Sequence, residues 1–163
     1  MPEQVRKLRA SFRAAGRGVG HALSHERNLR IHLCAAAYVV IFALLGDVDA
    51  WVWPTLFLCF GLMIGAELVN TAVERLCDKM HPGYDSAICI IKDLAAGAVL
   101  VCALCAAAAG LCIFLHPAVL SRIWEALREA AWRWVLLILS APAALVFIFR
   151  RPREKLGKMP KGF

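Results

Sequence analysis

The chain reads as an all-α integral membrane protein, and three observations carry that reading. Of its 163 residues, 61% are hydrophobic, against roughly 45–50% in a soluble domain. Apolar runs of about 20 residues, the length that crosses a bilayer, recur along it. The basic residues responsible for a net charge of +7 gather beside these runs instead of forming one patch. Basic flanks of this kind set membrane orientation, so no nucleic-acid partner is expected.

Residues 1–28 form the first unit. Val5, Leu8, Phe12, Ala15, Val19, Ala22 and Leu23 share one helical face, and Arg6, Arg9, Arg13 and Arg17 lie mostly elsewhere. The pattern predicts a basic amphipathic helix lying on the membrane surface, weakened by Gly16, Gly18 and Gly20. These residues lack a continuous apolar core, so no cleavable signal peptide is expected.

Residues 29–115 form a three-span core. The first span covers about Leu29 to Gly46, with Arg30 able to snorkel at its start, and "GDVDAW" is a tight loop. The second runs from about Trp51 to Cys77, with Pro54 in its first turn, where proline is tolerated. "KMHPGYDSA" is a polar turn. The third, about Ile88 to Leu115, is rich in alanine and carries Gly97 and Gly110, which allow close helix approach.

Residues 116–163 add an amphipathic connector ("HPAVLSRIWEALREAAW"), a fourth span from Trp132 to Phe149 with Pro142 inside it, and a basic tail. The N-terminal segment, the turn near Lys79 and the tail hold most of the Lys and Arg, so they are expected on the cytoplasmic side. Trp51, Trp53, Trp124, Trp132 and Trp134 all fall near the opposite boundary, as an aromatic belt would. Both termini are therefore expected on the cytoplasmic side of the membrane.

The seven cysteines sit mostly within apolar runs, where Cys acts as a small hydrophobe. The Cys102–Cys105 pair has neither a partner motif nor a βαβ context. His21 and His25 lack the further ligands of a tetrahedral site. They, with His32, His81 and His116, are expected to be interfacial polar residues.

The informative stretch is "AELVNTAVERLCDK", residues 66–79. On an ideal helix, with Glu67 at zero, Asn70 falls near about −60°, Glu74 near about −20° and Asp78 near about +20°, a stripe about 16 Å long. Glu67 lies about two to three turns in from the polar end, with no Lys or Arg within two turns of it on its own helix. A charge at that depth is expensive and faces a bundle interior or a wet cavity. Lys92 and Asp93 open the third span, beside the end of the second. Glu26 stands at the mouth of the first. Three helices thus bring carboxylates and a lysine to one leaflet. Carboxylates suit Mg²⁺, which keeps waters and phosphates in its shell, and a lysine is a mobile charge for phosphate. Together they suit phosphoryl transfer, although no P-loop is present. An ion or proton pathway is the alternative. It would require polar residues through the full membrane depth, and the outer half of the second span has none.

"AELVNTAVERLCDK", "IKDLAAGAV" and "SFRAAGRGVGHALSHERNLRIH" resemble the prokaryotic diacylglycerol kinase / undecaprenol kinase family over about residues 8–115. "ERNLRIH" is closer to the undecaprenol kinase branch. The resemblance implies a small integral-membrane homotrimer with active sites shared between protomers, which uses Mg-ATP to phosphorylate a lipid hydroxyl, of diacylglycerol or of undecaprenol. It implies Glu67 as general base, Glu26 and Glu74 as metal ligands, and Lys92 and Asp93 as ATP contacts. Gly83, Tyr84 and Asp85 fall where the family's nucleotide loop lies. Lys7 stands for a basic surface-helix residue that contacts nucleotide, and Asn70 and Asp78 support the site. The segment 116–163 has no place in the three-span pattern. It is expected to be an added anchor packing outside the trimer, or else to mark a modified lipid entrance or an altered assembly.

Overall fold

The computed structural model describes residues 3–81 and 83–150. The basic tail beyond Arg150, Pro82 and the first two residues lie outside the described residues. The described chain forms six helices: α1 (Glu3–His25), α2 (Arg27–Leu45), α3 (Val52–Met80), α4 (Ser86–Phe114), α5 (Pro117–Glu129) and α6 (Ala131–Phe149). Helices α2, α3, α4 and α6 are each long and apolar enough to span a bilayer. The surface helix, the three core spans, the connector helix and the fourth span all stand where hydropathy and periodicity put them. α1 runs unbroken through its three glycines.

A single extended residue, Glu26 (φ −97°, ψ 116°), separates α1 from α2 and so stands at the corner between surface helix and first span. A helix ends with four unpaired carbonyls. Arg30, expected to snorkel, is instead buried (6% exposed). Its Nη1 donates to the α1 carbonyls of Leu23 (3.2 Å) and Ser24 (3.0 Å). Its Nε donates to the Ile148 carbonyl near the end of α6 (3.1 Å). One guanidinium therefore caps α1 and fastens α6 to the start of α2.

The fourth span packs along α2. Midway, the Tyr38 hydroxyl donates to Ser140 Oγ (2.9 Å), which in turn donates to the Leu137 carbonyl (2.8 Å). Near the α6 terminus the Arg27 guanidinium lies 5.8 Å from the Phe149 ring centre. The helix continues through Pro142.

At the opposite end, α2 closes in a Schellman turn. Asp47 adopts a left-handed backbone (φ 42°), its N–H donates to Leu44 O (3.3 Å), and the Val48 N–H donates to Ala43 O (3.2 Å). α5 begins with Pro117 at its first position, where the missing N–H has no partner to lose. It lays Val119, Ile123 and Leu127 against Ala43, Val48, Val52 and Leu56 to make the buried apolar core. The two ends of the bundle are thus tied differently, by hydrogen bonds to a buried arginine at one and by apolar packing at the other.

Candidate functional site

The carboxylate stripe of α3 stands at the α1 end of the bundle. Glu67 is 3% exposed, and Asn70 and Thr71 are also buried. Asn70 Nδ2 donates to Glu74 Oε1 (2.9 Å), the i, i+4 contact that the stripe predicts. Asn70 Oδ1 is buried without a partner among the described residues.

On its own helix Glu67 has no Lys or Arg within two turns, and the structure brings a polar partner to it from another helix. His32 Nε2 lies 3.2 Å from Glu67 Oε1, within reach of donating to it. His32 was expected to be merely an interfacial residue. The available signal was depth, because His32 lies about 7.5 Å along α2 from its start at Arg27, at a level an antiparallel α3 also reaches with Glu67. Below this pair an apolar groove of about 320 Å³ runs toward the other end of the bundle, bounded by Ala36, Val39, Phe60, Ile64 and Ala106, with His32 lining it at the Glu67 end.

Glu26 reaches the same region from the α1–α2 corner. Arg75 Nη2 donates to Glu26 Oε1 at 3.0 Å, and Arg75 Nη1 donates to His21 Nε2. His21 stacks on His25, ring centres 4.2 Å apart. Partial burial, followed by the Arg75 guanidinium, holds the His21 imidazole below its ordinary pKa. Glu26 and Glu74 both lie within electrostatic reach of Glu67.

From α4, Lys92 Nζ donates to Asp78 Oδ1 at 2.7 Å, so the expected meeting of Lys92 with the α3 stripe occurs at its outermost member. Asp93 is exposed on α4. Gly83 and Tyr84 are exposed in the turn before α4. Asp85 caps α4, its Oδ1 accepting from Ala87 N (2.8 Å) and Ile88 N (3.2 Å). Those two N–H groups, Ile88 first, hold its carboxyl below the usual carboxylate range. Lys7 is not brought to the cluster within this chain. It sits exposed near the free end of α1, about 21 Å of helix from His21, paired with Glu3 at 2.8 Å.

Among the described residues no three His, Cys, Asp or Glu side chains converge into a metal cage. Mg²⁺ does not need one, since one or two carboxylates plus substrate phosphates and water complete its shell. Glu26 and Glu74, both within electrostatic reach of Glu67, and the unpartnered Asn70 Oδ1 offer oxygen donors of the kind this demand calls for.

The prokaryotic diacylglycerol kinase family profile matches residues 13–114, ending where α4 ends and before α5 and α6. The chain is 39% identical over 116 residues to undecaprenol kinase of Bacillus subtilis, an alignment covering 69% of this chain and 91% of that protein. It is also 39% identical over 111 residues to diacylglycerol kinase of Synechocystis sp., covering 68% of this chain and 63% of that one. No solved structure matches the chain.

Proposed function

Because the chain belongs to the prokaryotic diacylglycerol kinase family, we propose that it is a membrane-embedded lipid kinase that moves the γ-phosphate of Mg-ATP to a lipid hydroxyl. Glu67 is the catalytic base. The observation that carries this reading is a carboxylate 3% exposed inside a membrane helix, held by a single neutral-capable donor, His32. A carboxylate at that depth is costly and is poorly explained by structural need alone.

The lipid's hydrocarbon chain occupies the apolar groove that His32 lines, which places its hydroxyl beside Glu67. Glu67 takes the hydroxyl proton as the lipid oxygen forms a bond to the γ-phosphorus. The bond from that phosphorus to the bridging oxygen breaks, and ADP carries the electron pair away. Lys92 leaves Asp78 for the phosphates and offsets charge on the transferred group. Asn70 orients Glu74, and Asp78 holds Lys92 when no nucleotide is present. Asp93 and the Gly83–Tyr84–Asp85 turn contact the nucleotide, with Lys7 arriving from another protomer. Glu26 and Glu74 would hold Mg²⁺, which supplies charge neutralisation at the phosphates when bound.

A homotrimer in the inner membrane, with cytoplasmic termini and shared sites, completes the reading. It is supported by α4, which has no buried residue within one chain although its Ala- and Gly-rich surface suits close helix packing. The acceptor is a lipid with a primary hydroxyl, diacylglycerol or undecaprenol.

The test is transfer of radiolabelled phosphate from ATP by the purified protein, with each lipid presented separately in mixed micelles. Labelled lipid is expected from one of them, and labelling of neither would refute the kinase reading. Glu67→Gln is expected to lower turnover at least about 10³-fold, on the scale of losing a general base with its orientation, while nucleotide binding persists. Near-normal turnover by that variant would remove Glu67 from the role of base.

A further inference from the structure

A buried carboxylate requires a partner, and the neighbouring cations are committed elsewhere. Arg30 donates to three backbone carbonyls. Arg75 bridges Glu26 and His21, and Lys92 holds Asp78. Among the described residues this leaves His32 as the side chain on Glu67, its Nε2 3.2 Å from Oε1. Among the described residues the second carboxylate oxygen takes no donor.

The two residues also share a boundary. His32 and its i+4 and i+7 neighbours, Ala36 and Val39, line the apolar groove from α2 on one helical face. Ile64 and Phe60 line it from α3, and they precede Glu67 by three and seven residues on the same face. The imidazole therefore stands where the groove's apolar wall ends and the carboxylate begins.

We propose that His32 is a positioning residue for phosphoryl transfer. By binding Oε1 it fixes the carboxylate plane and leaves the other oxygen aimed at a hydroxyl arriving along the groove. The proposal rests on the reading of Glu67 as base. A carboxylate at the end of a three-torsion side chain has no preferred plane of its own. A misplacement of about 1 Å at a reacting group can cost about 10²-fold in rate. His32 itself transfers no proton to substrate and touches no phosphate.

The experiment compares His32→Leu, His32→Asn and His32→Gln in the lipid kinase assay, on protein that elutes as the parent does in detergent. Leu removes the donor. Asn keeps an amide that is too short to reach, and Gln restores an N–H at nearly the reach of Nε2. Leu and Asn are each expected to lower kcat about 10²-fold, with KM for lipid and for ATP within about threefold of the parent. Gln is expected to recover at least about a tenth of parental kcat. The inference is overturned by a parental kcat in the Leu or Asn variant, by a loss carried in lipid KM, or by a Gln variant no better than Asn. Should Leu fail to fold, the Asn and Gln pair decides alone, because the two differ by one methylene. An inactive Glu67→Gln beside a fully active His32→Asn would refute the positioning role only. An active Glu67→Gln would refute the base assignment beneath it.

Discussion

Gly46 offers a test whose sign depends on whether α5 is docked. Its backbone is right-handed (φ −82°, ψ 0°), so an added Cβ brings no backbone strain. With α5 absent or loose, Gly46→Ala should stabilise the protein by about 0.4–1 kcal/mol, because alanine restricts the unfolded chain. With α5 in place, that Cβ would lie 2.8 Å from Val119 Cγ1, 3.1 Å from Ile123 Cγ1 and 3.2 Å from Phe42 O. Carbon atoms settle at about 3.5–4.0 Å. Both partners are β-branched and stiff at χ1, so relief requires moving α5 itself. Overpacking of this kind costs about 1–3 kcal/mol, which outweighs the gain and leaves a net loss of about 1–2 kcal/mol. At about 2–4 °C per kcal/mol for a chain of this size, the melting point should fall by about 2–8 °C. Circular dichroism during heating in detergent micelles measures it. Adding Val119→Ala removes the nearest methyl and should return part of the loss. Turnover per folded molecule should not change, since Gly46 lies about 21 Å along α2 from His32. A Gly46→Ala variant that melts at or above the parent would refute the docked cap.

Other perturbations probe the opposite end. Arg30→Met removes three bonds from a charged donor, each contributing about 1.5–3 kcal/mol. It should lower the melting point far more than Arg27→Met, which loses only an exposed stacking contact of about 0.5–1 kcal/mol; equal effects would mean that α6 is not fastened through Arg30. Asp85→Ala should destabilise the protein at neutral pH. The folded pKa of Asp85 is depressed, so its contribution is present above the unfolded value of about 3.9 and fades as pH falls through the lower folded value. Parent and variant melting points should converge below that range, and a constant gap down to pH 2 would count against the cap. Arg75→Gln frees Glu26 of its guanidinium, so the Mg²⁺ concentration for half-maximal turnover should fall. A rise would argue that Glu26 does not hold the metal.

The helices and their order were legible from the chain alone, because membrane spans and amphipathic faces are written locally. About 20 apolar residues must form a helix to satisfy their backbone in lipid, and a 3.6-residue period fixes which side chains share a face. That is why α5, α6 and the stripe from Glu67 to Asp78 stand where their residues put them, and why Asn70 meets Glu74. Contacts between helices were not written this way. His32 meets Glu67 across 35 positions, Arg30 meets Ile148 across 118, and Val119 closes on Gly46. Each depends on how one helix is rotated and slid against another. Runs of Ala, Leu and Val are nearly uniform around the helix and leave that rotation unspecified. The segment beyond residue 115 shows the difference most plainly. Its hydropathy announced a fourth span, but only the packing of the helices decided that α6 lies along α2 and that a buried arginine fastens it beside Glu26.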